Sequence, residues 1–276
     1  MRQVRFDGSF DGWRCAARAL LCAGIAPHQL EWLGANDTGG LFDEPDPPEP
    51  VGPRPLVRIP RQLIPELESA ARFRTADRWG LLYRILWRVA KGDQTAMLVG
   101  DVDGSELHAR IKAVQREAHH MHAFLRFSPA GGNDAPEYVA WFEPAHDILP
   151  SAAPHFAERM GLHSWLIATP DDAVLWDGQT MHYSHHCPDD WRLLAQTAKD
   201  PGAELWTTYY ESTFNPARLN RDVMQSNLPV RFWKHLPEGP LIPQLMSRAR
   251  AGAQRDGQAE RVGARPGKRI GLPSRS

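Results

Sequence analysis

Four short strand-like runs, 123–127, 138–142, 164–168 and 173–176, stand close together in the middle of the chain, with one helical pattern, 149–160, among them. The first pair is joined by Pro129-Ala-Gly-Gly-Asn-Asp-Ala-Pro136 and the last by Thr169-Pro-Asp-Asp172. Turn residues at such spacing read as hairpins, which join antiparallel strands. Regular strand–helix alternation is absent, as is any internal repeat, so a doubly wound parallel sheet is excluded.

Both flanks read as helical. Ser9 follows an Asp7-Gly8 turn and is placed to cap a helix running to Cys22. Phe10, Trp13, Ala17, Leu20 and Leu21 share one face of it, and Gly24 and Pro27 close it. Helical spacing returns at 76–90, with Trp79, Leu82, Tyr83, Leu86 and Trp87 on one side, and at 104–122. It resumes from Asp189, with a helix at 203–214 and shorter ones to about Arg250; residues 4–6 and 56–59 are further strand candidates. The expected fold class is α+β: a small antiparallel sheet with packed helices and a helical carboxyl-terminal third.

Residues 1–250 are expected to form one domain, interrupted at 34–55 by a loop with six prolines, four glycines and five acids. Residues 251–276 read as a basic, disordered tail. From Arg248 onward, eight Lys/Arg stand against Asp256 and Glu260, a net +6, so residues 1–247 carry about −7 of the chain's total of −1. A basic tail can hold nucleic acid by releasing counterions, although composition alone favours a solvated terminus. No apolar run approaches the roughly 20 residues of a membrane span, and the opening residues lack a signal-peptide core. Cys15, Cys22 and Cys187 form no metal-type pair. A cytoplasmic protein without membrane association is expected.

Two constellations could carry chemistry. His119, His120 and His122, and later His182, His185, His186 with Cys187, are zinc-type ligands. Neither group has paired-ligand spacing, so no metal site is expected. In the second constellation, Arg116 precedes His119 by three residues and Glu117 precedes His120 by three, so each pair shares a helix face. Glu117, His119 and His120 are the candidate acid–base residues, with Glu117 orienting an imidazole; the competing reading is a salt-bridged helix end. Neither phosphate-binding glycine motif, G-x-x-x-x-G-K-[ST] or G-x-G-x-x-G, is present, and no cofactor is expected. Asp171-Asp172 and Asp189-Asp190 sit in turn-like sequence, where acids bond local backbone.

Towards the carboxyl terminus, aromatic and basic residues interleave. Trp206, Tyr209, Tyr210 and Phe214 lie at helical spacing and are expected to be mostly core. Arg218, Arg221, Arg231 and Lys234, with Arg116 and Arg126 further back, are the candidate DNA contacts, since such mixtures stack bases and hold phosphates.

Several segments together resemble one family. They are Phe6-Asp-Gly-Ser-Phe-Asp-Gly-Trp13, Arg116-Glu-Ala-His-His-Met-His-Ala-Phe-Leu-Arg-Phe127, Tyr138-Val-Ala-Trp-Phe-Glu-Pro144, Pro154-His-Phe-Ala-Glu-Arg159 and Trp206 to Pro243. The family is a bacterial one, described as DNA-metabolism proteins and catalogued as Domain of Unknown Function 4130; the resemblance covers about Val4 to Arg250. It implies partnership with a radical-SAM DNA-repair protein, or fusion to a uracil-DNA glycosylase domain. It implies no catalytic residues, and the chain has no C-x-x-x-C-x-x-C of its own. The expectation is an accessory or DNA-binding module of DNA repair. The alternatives are an enzyme acting on a damaged or flipped nucleotide through Glu117 and His119 or His120, and a protein-binding scaffold.

Overall fold

The computed structural model describes residues 2–34, 58–131, 135–215 and 220–250, without the side chain of Arg250. The expected loop (34–55) and tail (251–276) therefore fall almost wholly outside the described residues, as does half of the strand candidate at 56–59; Arg58 and Ile59 are in no regular element.

The amino-terminal part is a small parallel unit: β1 (Arg2–Arg5), α1 (Phe10–Cys22) and β2 (Leu30–Leu33), with β1 paired in parallel to β2. Ser9 caps α1, its Oγ accepting from Gly12 N at 2.9 Å, while Asp7 accepts from the Ser9 backbone N–H and hydroxyl. Trp13, Ala17 and Leu20 of α1 are buried against α2 (Leu63–Ala71) and α3 (Arg78–Ala90). Phe6, Trp13 and Trp79 pack ring to ring. The Tyr83 hydroxyl, buried within this cluster, donates to the Ile25 carbonyl at 2.7 Å.

Helix α4 (Val102–Phe124) ties the molecule together. The Asp101 carboxylate caps it, accepting from the N–H groups of Asp103 and Gly104. At Gly104 a Cβ would meet the Leu98 carbonyl oxygen at 2.1 Å, so only glycine lets the chain pass this closely. Leu107 belongs to the amino-terminal core, whereas Val114 and Met121, further along the helix, belong to a second core.

That second core lies on the five-stranded sheet of β3 (Ser128–Pro129), β4 (Tyr138–Trp141), β5 (Trp165–Ala168), β6 (Ala173–Trp176) and β7 (Met181–Ser184), ordered as numbered. The sheet is antiparallel except at β4–β5, which pair in parallel because α5 (Leu149–Met160) crosses between them. Trp165 and Ile167 face α4 and α5, and Leu166 and Ala168 face α6 (Asp189–Thr197), as strand alternation requires. All four are buried, so helices cover both faces. Beyond lie α7 (Ala203–Thr213), α8 (Arg221–Asn227), a short 3-10 helix at Val230–His235 and α9 (Leu241–Arg250). Phe232 pins this segment to the sheet core, stacking on Phe142 at 5.3 Å and packing on Phe124 at 5.5 Å.

The fold is α+β, as expected, with three local corrections. Residues 123–124 continue α4, because the helical ladder runs on to Leu125 N–H on Met121 O at 2.9 Å; the strand expected there shrinks to β3. The sheet contains one parallel pair. Helix α7 has no buried residue: Trp206 is 41% exposed and Tyr209 57%, while Tyr210 and Phe214 are half-buried, so the core expected from their spacing closes only in part. Among the described residues, no helix is long and apolar enough to cross a membrane.

Candidate nucleic-acid interface

Strand β4 ends at Trp141 and runs on into Phe142-Glu143; Phe142 enters the core while Trp141 and Glu143 line a cleft. The cleft has a volume of about 540 Å³. Arg126, at the end of α4, stands on one wall, the 195–203 connection on another, and Lys234 and His235 on a third. Glu143 is the hub: it accepts from Trp141 Nε1 at 3.1 Å and from the Lys234 ammonium. Burial raises its proton affinity, but the Lys234 and Trp141 hydrogen bonds and the His235 and Lys234 charges outweigh that, so the carboxyl titrates below its ordinary range. His235 Nε2 is buried 3.4 Å from Glu143, too far for a good hydrogen bond. Burial holds this imidazole below the ordinary histidine value despite the neighbouring carboxylate.

Arg126 differs from Arg74, Arg78, Arg88 and Arg231, which pair with carboxylates. Its Nη1 donates to the carbonyls of Ala123 and Leu125, at 2.9 and 3.1 Å, and no carboxylate among the described residues pairs with it. Arg126 lines the cleft, and a guanidinium is a planar fork of the kind that binds two oxygens of one phosphate.

The candidate acid–base residues divide between the faces of α4. Glu117, 3% exposed, and His120 point inward; Arg116 and His119 point outward and are exposed. Glu117 accepts from the Ala145 N–H at 2.8 Å and from the Arg231 guanidinium, and His120 Nδ1 lies 4.0 Å away. His120 packs against Phe124 and Phe232, and burial lowers its proton affinity. Here Glu117 fastens the carboxyl-terminal segment to α4 and the end of β4. His119 lines a separate hollow of about 370 Å³ with Arg72 and His122.

The candidate DNA contacts also separate. Arg126 and Lys234 share the cleft. Arg231 is committed to Glu117 and lies over the Phe232 ring at 4.5 Å. Arg221 is exposed on α8, and Arg218 lies outside the described residues. His182 pairs with Asp177, and Cys187 is buried. Among the described residues, no group of three or more His, Cys, Asp or Glu is placed to hold a metal.

Sequence reasoning missed Trp141, Glu143 and His235. The first two stand in the Tyr138–Pro144 segment that carries the family resemblance, the sole signal that could have marked them. It also missed a charged network in which Arg74 pairs with Asp147 and Asp171, each at 2.6 Å, and Arg78 pairs with Asp147 at 2.8 Å. Burial raises the proton affinity of Asp172 beside it, against the Thr169 hydroxyl and Arg74.

A family model, DUF4130, described as a domain of unknown function, matches residues 76–238. The chain belongs to that family. The DUF4130 match is narrower than the Val4–Arg250 resemblance: it starts just before α3, leaves out β1, α1, β2 and α2, and contains every residue of the cleft. No curated protein and no solved structure matches the chain.

Proposed function

We propose that this chain is an accessory module of DNA repair that contacts DNA through the Arg126–Lys234 cleft and works with an enzyme partner. The observation that carries the reading is the Arg126 guanidinium, tied through Nη1 to two carbonyls and paired with no carboxylate among the described residues, in a cleft that Lys234 also lines. The resemblance supplies the partner: a radical-SAM DNA-repair protein or a uracil-DNA glycosylase domain. Lys234 is tied to Glu143, and Asp200 also lines the cleft. The local charge is therefore balanced, which fits weak affinity for DNA in isolation and stronger affinity beside the partner.

The experiment is a titration of labelled single- and double-stranded DNA at low and moderate salt, with and without the partner. Sequence-independent binding that weakens with salt is expected, and no binding at low salt in either case would end the reading. A second reading, a protein-binding scaffold, is favoured by the exposed face of α7, where Leu205, Trp206 and Tyr209 meet solvent. It would then stand first.

A further inference from the structure

We infer that the cleft is a pocket for one unpaired nucleotide of a DNA strand, with its phosphate on Arg126 and its base against Trp141. The inference rests on the DNA-contacting reading and adds the unit that is bound.

Size is the first argument. A cleft of about 540 Å³ falls within the size range of sites that take small organic ligands. A nucleotide turned out of the stack fits such a space, and a base already unpaired costs least to bring there.

The lining is the second. The Arg126 guanidinium, a planar fork that matches two phosphate oxygens, is held by the carbonyls of Ala123 and Leu125. Trp141, also on the lining, is held by its hydrogen bond to Glu143, so its ring is pre-positioned for a base. Lys234 is spent on Glu143, whereas Arg126 has no carboxylate partner among the described residues, which assigns the anion to Arg126 and leaves the aromatic side to the base. Gln196 and Ser128, also on the lining, add neutral hydrogen-bonding groups that any base can use.

The ten tryptophan indole N–H signals of the full ¹⁵N-labelled chain provide the test. Trp141 is assigned by the signal lost in Trp141→Phe. The chain is titrated separately with the four 2′-deoxynucleoside 5′-monophosphates and with inorganic phosphate. The expected result is that the nucleotides shift the Trp141 signal and bind about tenfold more tightly than phosphate, the gain a stacked base supplies. Arg126→Ala should weaken the nucleotides severalfold while the other indole signals stay in place, showing an intact fold. If phosphate moves Trp141 as much as the nucleotides do, the cleft is a bare anion site and the inference falls. If the nucleotides leave Trp141 unmoved while labelled oligonucleotide still binds, the pocket falls and the DNA-contact reading stands. If neither nucleotide nor oligonucleotide binds, both fall.

Discussion

Replacing Arg231 by alanine leaves the Glu117 carboxylate buried, with the Ala145 N–H and the more distant His120 ring as its remaining polar neighbours. Breaking a buried pair from one side costs about 3–5 kcal/mol where the remaining charge is fully desolvated. Arg231 is itself 43% exposed, so water follows into the space it vacates, and a loss of about 2–3 kcal/mol is expected. Urea unfolding of the parent, Arg231→Ala, Glu117→Gln and the double variant Glu117→Gln/Arg231→Ala measures this as a double-mutant cycle. The double variant should recover about 1 kcal/mol or more of the Arg231→Ala deficit, because glutamine leaves no stranded charge. A double variant no more stable than Arg231→Ala would refute the argument that Glu117 needs Arg231 as its counter-ion.

Two further outcomes follow from the cores. Phe232, 2% exposed, stacks on Phe142, so Phe232→Ala should cost about 3–4 kcal/mol and release hydrogen-exchange protection in α9 before α1 or α3; uniform loss of protection would contradict the pinning role. His120, His122, His146 and His235 are each held by burial below the ordinary histidine value near 6.5. Their contribution is therefore complete above about pH 6.5 and is lost as pH falls through the lowered values. The thermal midpoint should drop between pH 7.5 and 5.5, and a flat or rising profile would refute this.

The sequence made helices legible where an apolar stripe, a cap and a stop agreed. Helix α1 is the clearest case, with Ser9 before it, Trp13, Ala17 and Leu20 along it, and Gly24 behind it. Helix α2 escaped because nine residues containing Pro65 give a short, interrupted pattern, although proline is tolerated in a first turn. Strand β7 escaped because Met181-His-Tyr-Ser184, at the sheet edge, reads as part of a histidine cluster. Periodicity assigned Trp206 and Tyr209 to a core, but spacing fixes only which residues share a face, not whether another element covers it. The cleft was half visible. Arg126 and Lys234 were candidates by charge, but their sharing one cleft depends on Phe232 docking 90 residues beyond Phe142, and no local pattern encodes that contact.

The central claim, phosphate contact at Arg126, is tested most directly by the salt dependence of single-stranded DNA binding in the parent and in Arg126→Ala. Each phosphate contact on a single strand contributes about −0.7 to the slope of log affinity against log salt. If Arg126 holds a phosphate, its replacement should flatten the slope by about that amount for every sequence tried. An unchanged slope, with the Trp indole signals undisturbed, would contradict the account.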